Sequence, residues 1–252
     1  MKPRISIICP GIRVGNWQSL YDSICTSTSR PFELIIIGPY ALPEVLQSKV
    51  NIKYIKDYGS PVRCLNMGFA LCEGDLLLWS ADDGSFLPGM IDKAIDAFES
   101  MEPNFKNVLI TKYMEGKRIL QPESYFKLCN AYPRTPFISE DWWIFNLIIT
   151  NSSYFNHLGG LDSEYETLAV SHADLAVRAQ RDQCVIKVFP DPIVYHAHGH
   201  PDHTPIERGH VDHDEPLYRN RYSDPNMLNH IHIDINGWKK APSVWTRRFV
   251  NL

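Results

Sequence analysis

The chain has 252 residues, enough for one substantial core and, on length alone, for one or two domains. Hydrophobic residues make up 44% and charged residues 21%, as in ordinary soluble globular proteins, and a net charge of −4 gives no basic footprint for tracking nucleic-acid phosphates. No apolar run approaches the ~20 residues a spanning helix needs, and Ile5–Cys9 behind the basic N-terminus is too short for a signal-peptide core.

The first hundred residues alternate as a βαβ sheet does. Arg4–Cys9 reads as a strand, Asn16–Cys25 as a helix, and Phe32–Ile37 as a strand closed by Gly38-Pro39. Pro43–Ser48 is a short helix and Asn51–Ile55 a third strand. Ser60-Pro61 opens a helix with Ser as N-cap and Pro at its first position, and Val62, Leu65, Phe69 and Cys72 form its buried stripe. Leu76–Trp79 is a strand too apolar for a solvated edge, so it belongs in the centre of a covered, parallel sheet. Pro88–Ser100 is a helix. Beyond residue 100 the spacing predicts a strand at Asn107–Tyr113 and a long apolar one at Trp142–Thr150. A short helix at Ser152–Leu158 ends at Gly159-Gly160, a helix follows at Ser171–Arg181, and strands are expected at Val185–Phe189 and Ile193–His196. From 197 onward, polar and Pro-rich sequence predicts a loop that wraps the domain or caps a site. No repeat or linker is visible, so residues 1–252 read as a single domain with halves at 1–100 and 101–252. Cys9, Cys25, Cys64, Cys72, Cys129 and Cys184 are scattered without a close pair. That excludes a zinc ribbon or disulfide framework and suggests a reducing, cytoplasmic compartment, with peripheral association at the cytoplasmic membrane face left open.

Residues 74–89, GDLLLWSADDGSFLPG, carry the chemistry: an apolar strand runs into Asp82 and Asp83. Ligands of open α/β sheets sit outside the carboxyl ends of the strands, where two carboxylates can hold a divalent metal against a diphosphate. The same four residues, Asp-Asp-Gly-Ser, also suit a plain polar turn.

With RISIICPG, FELIIIG, NIKYIKDYGSP, RCLNMGFALCEGDLLLWSADD and LGGLDSEYE…HADLAVRA in this order, residues 4–200 resemble family-2 glycosyltransferases with the GT-A fold. The resemblance implies a single α/β domain of Rossmann-like GT-A type, with a mostly parallel central sheet flanked by helices. It implies inverting transfer of a sugar from a nucleotide-diphosphate donor to a carbohydrate or glycolipid acceptor, with Mn²⁺ or Mg²⁺, in polysaccharide or surface-glycan assembly. Asp82 matches the second acid of the family's Asp-x-Asp motif, Asp83 follows it, and Ser80 replaces the first acid. Pro10 and Gly11 then form the turn beside the donor, Asp57 follows the third strand within reach of base or ribose, and Arg63 and Asn66 lie one turn apart beside the diphosphate. Where the family often has a base-binding acid, this chain has Gly38.

An inverting transfer needs a group that takes the acceptor's proton. The family's Glu-Asp-x-Asp-Leu corresponds to Ser171-His172-Ala173-Asp174-Leu175, so the resemblance offers His172 or Asp174 as base. Ser171-x-x-Asp174 also fits a capping box. Asp141, Trp142 and Trp143 could present an acceptor surface, one indole to each side if the segment is a strand. Six histidines crowd residues 196–213, and alternation places His196, His198 and His200 on one face. In GT-A enzymes a C-terminal histidine often joins the metal, so His196 or His198 would complete the site of Asp82 and Asp83. Two other classes stay open: a metal-dependent hydrolase that uses the carboxylates and histidines, and a non-catalytic nucleotide-sugar-binding module.

Overall fold

The computed structural model describes residues 2–116, 118–119, 126–128, 138–139, 141–197 and 203–252. Four parallel strands form its first half: β1 (Ile5–Pro10), β2 (Phe32–Gly38), β3 (Ile52–Lys56) and β4 (Leu76–Trp79). β1, β2 and β4 are buried almost throughout, because helices cover both faces of the sheet. These are α1 (Trp17–Ser27), α2 (Glu44–Gln47), α3 (Pro61–Leu71) and α4 (Met90–Glu99). The Ser60 hydroxyl accepts from the Arg63 amide at 3.2 Å, so the expected N-cap forms.

The second half adds β5 (Gly84–Phe86), β6 (Asn107–Glu115), β7 (Arg118–Ile119), β8 (Ile148–Asn151) and β9 (Val185–His196). The sheet runs β3-β2-β1-β4-β8-β6-β9-β5, with β7 beside β6. It turns antiparallel at β4–β8 and again where β5 meets β9. Among the described residues the helices of this half are α5 (Ser152–Leu158), α6 (Leu168–Arg181), α7 (Thr204–Gly209) and α8 (Glu215–Arg221).

Three expectations are corrected. The long strand at 142–150 begins only at Ile148, because Trp143 is spent on a one-residue bridge to Lys127 and a bond to Gln180. The two strands at 185–196 are one, whose pairing with β6 shifts register around Lys112, where Pro190 and Pro192 lack the amide hydrogens a ladder uses. The tail is not loop alone. α7 and α8 each carry Pro in their first turn, are joined by a π-helical segment at His210–Asp214, and lead into a strap over residues 228–249.

The strap follows the molecular surface. Arg181 Nε donates to the Leu228 carbonyl at 3.3 Å, and the Ile233 amide donates to the Leu158 carbonyl at 3.2 Å. Gly159, at φ +84°, lets the strap's backbone approach so closely that a Cβ there would lie 1.9 Å from the Ile233 oxygen. The strap then reaches Tyr58, where Trp245 N donates to the Tyr58 carbonyl at 2.7 Å and Phe249 meets the Tyr58 ring edge-on.

Candidate functional site

The carboxyl ends of β1, β2 and β3 open into a cavity of about 140 Å³. Its floor includes Pro10, Gly11, Gly38 and Asp57; Arg13 and Asp82 form one wall; Trp245, Arg248 and Phe249 of the strap and Ile206 of α7 form the other. Gly38 has a backbone reason for lacking a side chain. The Gly11 amide bonds to the Ile37 carbonyl at 2.8 Å, and the Gly11 oxygen passes 1.9 Å from where a Gly38 Cβ would stand. An acid at this position would be expelled by the crossing turn.

Asp82 organises that turn. Its buried Oδ2 accepts from the Ile12 amide at 2.6 Å and from the Arg13 amide, while Oδ1 takes the Arg13 guanidinium. Arg13 Nη1 also lies 3.8 Å from Asp83 Oδ1, which is 3.3 Å from His196 Nδ1. The sheet makes this neighbourhood, because Gly84 of β5 pairs with His196 at the end of β9. Burial would raise the Asp83 carboxyl, but the His196 hydrogen bond and the Arg13 charge outweigh it and hold the group below the usual carboxylate range. As arranged, these residues do not fit a divalent cation. Both Asp82 oxygens already serve protein donors, and a guanidinium lies between the two acids. His198, the other expected ligand, lies outside the described residues.

Arg13 and Trp245 were not singled out in the sequence; both line this cavity, and each has a buried N–H without a hydrogen-bond partner, Arg13 Nε and Trp245 Nε1. The hint was a basic residue just past the first strand and an aromatic–basic run, WTRRF, near the end of the strap.

The other expected residues are placed as follows. Pro10, Gly11, Asp57 and Asp82 line the cavity. Arg63 does not face it as a free phosphate ligand. Its guanidinium grips Asp57 through Nε and Nη2 at 3.1 Å each, and Nη1 donates to the Trp238 and Ala241 carbonyls of the strap, at 3.0 Å for the latter. Asn66 is likewise engaged with the segment after Gly160. Its amide nitrogen donates to the Leu161 carbonyl at 2.7 Å and the Ser163 hydroxyl, and its oxygen accepts from Leu161 N.

His172 is enclosed, with its ring 5.0 Å from that of Trp79 and Nε2 unpaired, and burial pushes its pKa down to about 3. A base so weak and so covered does not fit the expected role in this conformation. Asp174 is no capping acid either, since α6 begins at Leu168 and not at Ser171. Its Oδ2 accepts from Arg178 at 2.8 Å, and its Oδ1 from Tyr222 at 2.7 Å and Arg221 at 3.2 Å. Asp141, Trp142 and Trp143 lie away from the cavity. Trp143 bonds Gln180 near the end of α6, whereas the cavity touches Leu168 at its start, twelve residues or roughly 18 Å along the axis. Lys127 Nζ covers the Trp143 ring at 4.1 Å and bonds the Asp141 carbonyl.

No protein-family model and no curated protein matches the sequence. Solved structures do. S. aureus TarS 1–349, a GT-A-type glycosyltransferase, aligns with TM-score 0.56 and 17% identity over 91% of this chain and 71% of that one. The same fragment in complex with UDP gives 0.55 and 18% over 91% and 71%, and in complex with UDP-GlcNAc 0.54 and 18% over 91% and 72%. The chain therefore has a GT-A-type fold.

Proposed function

We propose that this chain is a glycosyltransferase that takes a sugar from a nucleotide-diphosphate donor held at the ends of β1–β3 and passes it to a carbohydrate or glycolipid hydroxyl. The observation that carries the reading is Arg13 in the lining of that cavity, with a buried Nε that has no hydrogen-bond partner. A guanidinium N–H left without an acceptor costs free energy unless a ligand supplies one, and a diphosphate oxygen is the acceptor that suits it. The UDP and UDP-GlcNAc complexes of the structurally similar TarS make a uridine nucleotide the first donor to test. The charge that develops on the leaving diphosphate falls to Arg13, which Asp82 already orients. No divalent cation enters this scheme. Deprotonation of the acceptor falls to the His196 imidazole, aligned by Asp83.

Calorimetric titration with UDP tests the donor site: Arg13→Gln should weaken binding by ~10–100-fold, the worth of a charged hydrogen bond. With a UDP-sugar and acceptor, His196→Ala should slow turnover by ~100-fold or more while UDP affinity holds, and EDTA should leave wild-type turnover intact. Failure of every nucleotide to bind would sink the reading. Binding without donor consumption would favour a nucleotide-binding module, the alternative that the enclosure of His172 and Asp174 supports.

A further inference from the structure

At the far end of α6, three potential metal ligands from three separate elements converge. His157 of α5, Asp182 just after α6 and His232 of the strap each offer a ligand atom within 4.8 Å of the others. Their surroundings prepare them. Lys106 Nζ holds Asp182 Oδ1 at 3.0 Å, while buried Oδ2 has no hydrogen-bond partner and lies 3.7 Å from His157 Nε2. His232 Nδ1 donates to the His157 carbonyl at 2.8 Å, which leaves the lone pair of the neutral ring on Nε2. A backbone carbonyl that fixes the tautomer of a histidine is the usual outer support of a metal-bound imidazole. The His157 ring is steadied by edge contacts with Phe105 and His232 at 5.5 and 4.4 Å.

We propose that His157, Asp182 and His232 bind a borderline transition-metal cation, with Zn²⁺ as the test ion. Two imidazoles and one carboxylate are the donor set such ions take, whereas Mg²⁺ and Ca²⁺ favour all-oxygen sites. Both histidines reach solvent, so a fourth position is open to water. Asp182 lies past the end of α6 and the donor cavity touches its start, so the site is remote from the Asp82–Asp83 pair and independent of the proposed transferase reading. Its role follows from the elements it joins: a bound ion would staple the strap to α5 and α6, and an ion that binds only the folded chain stabilises it.

The test uses the full chain after EDTA stripping and dialysis. Competition with a chromophoric chelator should show one equivalent of Zn²⁺ bound, and Co²⁺ should give visible d–d absorption. His232→Ala and His157→Gln should each weaken Zn²⁺ by at least the ~10–100-fold lost with an outer-shell partner, whereas Asp83→Asn should bind it as wild type does. On the unmutated chain, Zn²⁺ should shield His157 and His232 from diethyl pyrocarbonate, read by mass spectrometry. Uptake that survives in both histidine variants, no uptake at all, or unchanged labelling of the two histidines would each overturn the proposal.

Discussion

Burial makes His172 an acid-sensitive element of the fold whatever its part in catalysis. Its folded pKa of about 3 lies below the ordinary 6.5, so the unfolded chain binds the proton more readily. The stability this group contributes is complete above pH 6.5 and declines as pH falls toward 3. Between pH 7 and pH 5 the loss is about 2 kcal/mol. Urea denaturation at the two pH values should show a smaller acid-side loss in His172→Phe by roughly that amount; an identical loss would remove His172 as its source. The alignment of Ser171–Leu175 with the Glu-Asp-x-Asp-Leu motif was legible in sequence, but the environment was not. The extra first turn of α6 depends on Asp214, distant in sequence, which takes the Glu166 and Thr167 amides, so no nearby residue announced it.

Among the elements, the strap depends most on a single side chain. Arg63 joins Asp57 to the Trp238 and Ala241 carbonyls through one planar fork, and an ammonium cannot reproduce that geometry. Arg63→Lys should therefore keep the ion pair but release the strap, with cleavage within residues 237–252 by a dilute protease faster by about tenfold. Cleavage at the wild-type rate would show that the strap is held elsewhere. Strands β1, β2 and β4 were legible because parallel strands covered on both faces are apolar almost throughout. α7 and α8 were not, despite Pro205 and Pro216 in their first turns. In α8 Arg221 is used in long-range ion pairs with Asp162 and Asp174, which mimic a solvated loop when read in one dimension.

For the whole molecule, the strap and α7 leave a cavity of about 140 Å³. That is below the ~300 Å³ at which small-molecule sites usually begin. On the proposed reading, a complete nucleotide sugar would enter only after the strap yields, so opening would precede binding. In stopped-flow mixing with a fluorescent UDP analogue, the observed rate should level off at high nucleotide concentration, at a higher plateau in Arg63→Lys. A rate that stays linear throughout would mean that the strap does not gate entry. The order of β1–β4 could be anticipated from the βαβ alternation, but the meeting of Pro10 and Phe249 on the lining of one cavity could not, because no local pattern encodes the approach of residues so far apart in sequence.

That meeting has a consequence during synthesis. The ribosome delivers residues 5–79 well before residues 245–249, so β1 to β4 can pair while that segment is still to be made. The roof over their ends includes Trp245, Arg248 and Phe249, which emerge long after β4. Until that segment emerges the nascent chain therefore carries an uncovered hollow at the ends of β1–β3, and residues 245–249 are what close it.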